Sequence, residues 1–282
     1  MISNPISSPV RALIIGTWMA ALVWWEGRHA LRRTVDNKIE RDVRNIGVAA
    51  LAAAVVQFIE VPVAFGLAGQ VQEKRWGLVQ QLHVPGPVRV ILAIVLLDYT
   101  LYLWHVLTHR VPFLWRFHEV HHIDREMDAT TALRFHFGEI AISVLFRAAQ
   151  VLTIGPAPMA VASWQIFLFV CILFHHSNVR LPLAWERRLA RFIVTPRLHG
   201  IHHSIAPAEV NSNWSSGLTI WDWLHGTLRT QVSQDSIILG VAGHLSDADQ
   251  RLANVLALPF RESAEVPEMP EHAVRQPISA LK

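Results

Sequence analysis

Residues Val88–His109 read VRVILAIVLLDYTLYLWHVLTH, an apolar run that ends directly in the pair His105 and His109. A bilayer's hydrocarbon core takes about 20 helical residues, and Val88–Trp104 with its flanks fills it. Arg89 stands at its start, and one carboxylate, Asp98, lies deep inside the run. A carboxylate within a membrane segment is costly and marks function by default, and hydrogen-bonding a nearby imidazole is its natural task. Histidines at i and i+4 share a helix face. The stretch therefore reads as a transmembrane helix that delivers two imidazoles to one membrane surface.

Four further apolar stretches surround it: Ala12–Trp25, Ile46–Gly69 (interrupted by Glu60 and Pro62), Ile140–Ile154 and Met159–Phe174. Gly155-Pro156-Ala157-Pro158 between the last two reads as a tight interhelical turn. Arg147 inside the fourth stretch makes a re-entrant or obliquely packed hairpin the expectation for that pair. Of the 282 residues, 52% are hydrophobic and 17% charged, against about 25% charged in an ordinary soluble domain. The expected fold class is all-α: an integral membrane helical bundle of four to five segments with a cytoplasmic histidine-rich helical cap. One domain covers residues 1–260. Residues 261–282, dominated by Pro, Glu and Ser, read as a disordered tail.

The first stretch has no small-residue cleavage site, and its charges follow rather than precede it, unlike a signal peptide. A single cysteine, Cys171, excludes an internal disulfide, a four-thiolate zinc site and a cysteine-ligated iron–sulfur cluster. The net charge of +3 gives no argument for nucleic acid, because the basic residues group in loops beside apolar segments. Arg28, Arg32, Arg33, Lys38, Arg41 and Arg44 follow the first segment and place that loop in the cytoplasm. Counting crossings brings the ends of the third and fifth segments out on the same side. The expected localisation is multi-pass, with the histidine site cytoplasmic. Leu218–Leu224, amphipathic and rich in tryptophan, suits the membrane interface.

Eight of the sixteen histidines fall into spaced groups: His105 and His109; His118, His121 and His122; His199, His202 and His203. Positions i, i+3 and i+4 converge on one helix face, and buried imidazoles need partners for both ring nitrogens. Metal ligation supplies one of them. Imidazole suits Zn, Cu, Fe and Ni alike, but a structural zinc takes four ligands and a catalytic zinc three. Eight histidines in the groups therefore point to two metals. His118-Glu119-x-x-His122 also fits the HExxH pattern of zinc proteases, where the glutamate is general base. That reading leaves His121 idle, and the downstream group has Gly200 at the glutamate's place. His136 and His176 stand apart from the groups in Arg134-Phe-His136 and Phe174-His-His176-Ser-Asn178, while His29, His83, His244 and His272 read as ordinary surface or core residues.

The order HxxxH, HxxHH, then a distant HxxHH, on a chain of this hydropathy, resembles the fatty acid hydroxylase / sterol desaturase superfamily. Asp98-Tyr-x-x-Tyr102-x-Trp104-His105, Leu114-Trp-Arg-Phe-His118, Thr195-Pro-x-x-His199 and Trp221-Asp222 with Gly226-Thr227 extend the likeness over residues 98–227. The resemblance implies two Fe ions, O2 as co-substrate and electrons from an external electron-transfer protein, cytochrome b5- or ferredoxin-like. It carries over His105, His109, His118, His121, His122, His199, His202 and His203 as ligands and His176 as a ninth. His136 becomes a ligand or a group behind the ligands; Asp98, Glu119 and Asp222 are candidates for that outer position. His175 has no counterpart and is assigned to local packing. Where many members have Asn-Tyr-Gly, this chain has Asn213-Trp214-Ser215, and His225 stands where they have Phe; both departures are expected on the substrate-side wall. The implied activity is hydroxylation or desaturation of a lipid-like substrate: a sterol, fatty acyl chain, carotenoid or alkylglycerol. A membrane haem carrier or metal transporter is the alternative, but a transporter places its ligands near the bilayer midplane.

Overall fold

The computed structural model describes residues 4–261; of the expected tail, all but Arg261 lies outside them. Among the described residues the chain is helical, with three isolated β-bridges and no strand. α1 (Ser8–Glu26) leads to α2 (Lys38–Val55), which passes through a π-helical turn, Val56–Glu60, into α3 (Val61–Lys74). A short α4 (Leu78–Gln81) precedes α5 (Gly86–Arg110), α6 (Pro112–His122), α7 (Phe137–Ile154) and α8 (Pro158–His176). Smaller helices follow: α9 (Leu183–Leu189), α10 (Pro196–His202), α11 (Pro207–Val210), α12 (Ile220–His225) and α13 (Leu252–Ala257). Among the described residues five segments are long and apolar enough to cross a membrane: Ser8–Glu26, Lys38–Gln81, Gly86–Arg110, Phe137–Ile154 and Pro158–His176.

The interruption at Glu60 and Pro62 is a widened turn rather than a break. Proline has no N–H, and its ring presses on the carbonyl four residues back. The helix opens there, so that Val61 N–H bonds to Val56 O, five residues earlier.

Gly155 ends α7 with φ +76° and its N–H on Val151 O, the left-handed stop that glycine adopts without strain. It lies against Gly77 (φ +84°), where a Cβ on either residue would strike the other's backbone. The predicted turn is therefore present, but the hairpin is not closely packed. α7 packs on α2 and α3, whereas α8 packs on α1, α3 and α5. The two helices diverge and line a cavity of about 400 Å³. Arg147 is neutralised across that divide: its Nε lies 3.4 Å from Glu60 Oε1, Nη1 donates to Gln150, and the guanidinium sits 4.3 Å from the Trp164 ring centroid. The two residues that interrupt the sequence as charges thus pair with each other.

At the other end of the bundle the loop after α1 meets the chain leaving α8. Leu31 N–H donates to Asn178 O and Arg180 N–H to His29 O, both at 2.7 Å. Arg41, near the start of α2, is buried and donates to Asp124 at 2.9 and 2.8 Å, to Thr131 Oγ1 at 2.6 Å, and to Asp128. Burial works against the ionised form of Asp124 and Asp128, but the Arg41 charge overrides it and holds both below the usual aspartate range. The arginine-rich loop, the start of α2 and the segment after α6 thereby share one end of the molecule with the C-termini of α5 and α8.

Candidate metal centre

Proline punctuation brings the histidines together. Val111 precedes Pro112 and is forced to extended backbone (φ −97°, ψ 114°), which ends α5 just after His109. Pro112 then opens α6 at a position where a missing N–H costs nothing, so His118, His121 and His122 return alongside α5. α8 ends in His175 and His176. Thr195 Oγ1 accepts from Leu198 N–H at 3.5 Å, and with Pro196 next to it starts α10, which presents His199, His202 and the adjoining His203.

The nine predicted ligand histidines are all buried and resolve into two groups. His105, His109, His118, His122 and His202 form one; His121, His176, His199 and His203 form the other. Within each group the ring nitrogens offered all lie within 4.8 Å of one another. The groups adjoin: His122 and His203, one from each, stack at 4.3 Å between centroids.

The hydrogen bonds fix where the protons sit. His105 Nδ1 faces Trp214 O at 2.6 Å, His202 Nδ1 faces Ser212 O at 2.8 Å, His176 Nδ1 faces Ile172 O at 2.8 Å, and His118 Nδ1 faces Glu139 Oε1 at 2.9 Å. Carbonyl and carboxylate oxygens only accept, so each of these Nδ1 atoms carries the proton and each Nε2 presents a lone pair. Yet His105 Nε2 lies 3.2 Å from His118 Nε2 and 3.1 Å from His202 Nε2. Lone pairs cannot hydrogen-bond one another. Two nitrogens that each lie about 2.1 Å from one ion are about 3 Å apart at a right angle, so a cation between them accounts for the spacing. In the second group, His176 Nε2 is 2.9 Å from both His121 Nε2 and His199 Nε2, and His203 Nε2 is 3.2 Å from His199 Nε2. Both nitrogens of His109 and of His122 are buried without a hydrogen-bond partner. The donor set fits two metal ions.

Burial first, and then neighbouring imidazoles, hold His121, His122, His199 and His203 well below the usual histidine range and push His202 down to about 3. These rings are therefore neutral at physiological pH, as metal ligands must be. The unfolded chain takes up protons on them below about pH 6.5 and the folded chain does not. Stability is accordingly expected to be greatest above about pH 6.5 and to fall toward pH 5. Melting curves of the full chain at pH 7.5, 6.5 and 5.5 measure it; an unchanged melting temperature would mean that the imidazoles accept protons in place.

The outer candidates are distributed differently from expectation. Asp98 reaches no ligand imidazole, because it stands seven residues, or about 10 Å of helix rise, before His105. Its carboxylate accepts from Leu218 N–H at 3.0 Å and Trp221 Nε1 at 2.7 Å. Asp222 accepts from Trp214 N–H and Ser215 N–H, both at 2.9 Å, and so fixes the peptide whose carbonyl holds His105. Glu119 points away from both groups, its Oε1 3.6 Å from His244 Nε2, which removes the general base that the zinc-protease reading requires. His136 lies outside both groups; it caps α7, accepting from Gly138 N–H at 3.0 Å through Nδ1, with Nε2 3.2 Å from Leu256 O. His175 packs against His199 at 4.0 Å between centroids and belongs to neither group. Asn213-Trp214-Ser215 lies beside the first histidine group, with the Trp214 carbonyl on His105 and its ring facing His109.

Glu139 was missed. Its signal was available: a carboxylate at the start of an apolar segment, three residues after His136. Partners behind metal ligands are typically worth about 10–100-fold in metal affinity or activity. Glu139→Ala is expected to weaken metal retention against a chelator by about that factor while the chain still folds, and Glu139→Gln, which can still accept from His118, to recover part of it. Equal retention in wild type and Glu139→Ala would remove Glu139 from the site.

His105, His118, His121, His176 and His199 line one end of the cavity between α7 and α8, with Leu101, Trp104, Phe135, Ile140 and Phe146 as apolar walls. The histidine cluster thus opens onto a space suited to a hydrocarbon chain.

Residues 90–227 match the family model for fatty acid hydroxylase. The chain is 32% identical to an ornithine lipid hydroxylase of Rhizobium tropici over 57% of its own length and 48% of the relative's. It is 31% identical to the alkylglycerol monooxygenase of Xenopus tropicalis (46% of this chain, 28% of the relative) and 27% identical to the cholesterol 25-hydroxylase of Mus musculus (52% and 49%). The chain thus spans about half, or less, of the length of these relatives. No solved structure matches it significantly.

Proposed function

The chain belongs to the fatty acid hydroxylase / sterol desaturase superfamily, and from that premise we propose that it is a multi-pass membrane oxidase whose two histidine groups hold two iron ions and which uses O2 to hydroxylate or desaturate a lipid-like substrate. The observation that carries the reading is the meeting of the two groups with one end of an apolar cavity. The overall change for hydroxylation is R–H + O2 + 2e⁻ + 2H⁺ → R–OH + H2O; desaturation removes a second hydrogen from the neighbouring carbon and forms a second water.

Iron bound in the cage supplies the reduction of O2 and the abstraction of hydrogen from the C–H bond. The protein's part is to hold and to exclude. Trp214, Ser212 and Ile172 carbonyls and the Glu139 carboxylate keep the protons on Nδ1 of His105, His202, His176 and His118, so that every Nε2 faces inward. Trp104, Phe135 and Phe146 wall the reacting end against water and leave room for a chain. Arginines crowd the loop after α1 at the histidine end, which supports a cytoplasmic position for the site. Arg180, Arg187, Arg188 and Arg191 are exposed there, and their charge suits an acidic external electron-transfer protein of the cytochrome b5 or ferredoxin kind.

Lipid mass spectrometry of cells with and without the protein, grown under 18O2, tests the proposal. A lipid gaining one labelled oxygen signifies hydroxylation, and one losing two hydrogens signifies desaturation. Identical lipid profiles with iron-loaded protein and a working electron donor would contradict it.

A further inference from the structure

The cavity has a second end, and it is ionic. Arg11 of α1, Glu60 of the π turn, Arg147 of α7 and Gln165 of α8 line it, with Trp164 beneath the Arg147 guanidinium. Two helices give its distance from the histidines independently. Arg147 stands eight residues beyond Glu139, which holds His118, or about 12 Å along α7. Trp164 stands eleven residues before His175, or about 16 Å along α8.

The charges at this end do not balance. Among the described residues two arginines face one carboxylate there, in a part of the molecule where an unpaired charge is costly. Glu60 and Gln150 engage Nε and Nη1 of Arg147, and Nη2 makes no hydrogen bond among the described residues. Arg11 donates through Nη2 to Ser8 Oγ at 3.3 Å, while its Nε is buried without a partner. A π turn, a feature that recurs at functional sites, sets Glu60 into the wall. A purely structural ion pair would call for Arg147 and Glu60 alone; it explains neither Arg11 nor the placement of all three on the wall of a cavity that leads to the metal ligands.

We propose that this end binds an anionic group of the substrate, a carboxylate or a phosphate, so that the substrate is an amphipathic lipid attacked at a C–H bond about 12–16 Å from that group. The inference rests on the cavity being the substrate's own, as read above. The long arginine side chains reach inward from their helices to meet the anion, their stems lying along apolar wall. The apolar chain then runs from the arginines to Trp104, Phe135 and the histidines.

The test is equilibrium binding of dodecanoate, dodecyl phosphate and methyl dodecanoate to the full chain in an uncharged detergent, by calorimetry. Hydrogen bonds to charged groups are worth about 1.5–3 kcal/mol, so at least one anionic probe is expected to bind about tenfold or more tighter than the ester. The stronger of the two anions tells a fatty-acid carboxylate from a lipid phosphate. Arg147→Gln and Arg11→Gln are each expected to shrink that preference to about twofold or less while leaving the ester's affinity unchanged. Should Arg147→Gln fail to fold, Arg11→Gln and the wild-type comparison still decide. Equal binding of acid and ester by the wild type overturns the inference and leaves the oxidase reading standing. A preference that survives the arginine substitutions places the anion at the histidines and also overturns it. If no probe binds, the inference is overturned, while the oxidase reading is decided separately by the 18O2 experiment.

Discussion

The chain with His202→Ala is expected to fold and to lose its product by more than about 100-fold, beyond what removal of a partner behind a ligand costs. His202 ties the downstream HxxHH to the end of α5: its Nε2 lies 3.1 Å from His105 Nε2, and Ser212 O holds its Nδ1 at 2.8 Å. Truncation removes one of the five nitrogens of the first group and leaves the second group whole. One ion should therefore be lost and one retained, with helical content by circular dichroism unchanged. Product formation within tenfold of wild type would show that the first group is not where the reaction is driven.

Arg41→Met is expected to give the largest loss of stability. Arg41 is buried and donates to Asp124, Asp128 and Thr131, joining α2 to the segment that follows His122. Removing one partner of a buried ion pair costs about 3–5 kcal/mol, because the other is left charged and unpaired. For a chain of this size that corresponds to a melting temperature about 10 °C lower. Adding Asp124→Asn should recover part of the loss, since the stranded carboxylate is the costly remnant. Arg134 and Arg44 also approach Asp124, at 3.8 and 4.0 Å, so recovery should be incomplete. A melting temperature unchanged by Arg41→Met would show that the clamp contributes nothing.

The membrane segments were legible because apolar runs and prolines act locally. The Val88–His109 stretch predicted a helix ending in two imidazoles, and Pro112 sets that ending by its effect on Val111. Helical spacing also made the histidine groups visible, since i, i+3 and i+4 are neighbours within one turn. The partition into two groups was not legible. His121 and His122 are adjacent in sequence yet belong to different groups, because successive residues on a helix point about 100° apart. Nor could the sequence tell which carboxylate lies behind a ligand. Asp98, inside an apolar run, looked suited to that task, but a helix rises too far in seven residues for it to reach His105. Glu139 reaches His118 only because α7 packs beside α6. The pairing of Glu60 with Arg147 spans 87 residues, and no local pattern announces it.

Iron analysis of the full chain, reconstituted anaerobically with Fe(II) and freed of loosely held metal, tests the central claim most directly when turnover is measured on the same samples. With one iron proposed for each of the two adjoining histidine groups, the expected content is two irons per chain in active wild type and about one in the His202→Ala variant. Wild-type protein that oxidises its lipid with no iron, or with a single iron that His202→Ala leaves in place, would contradict the account.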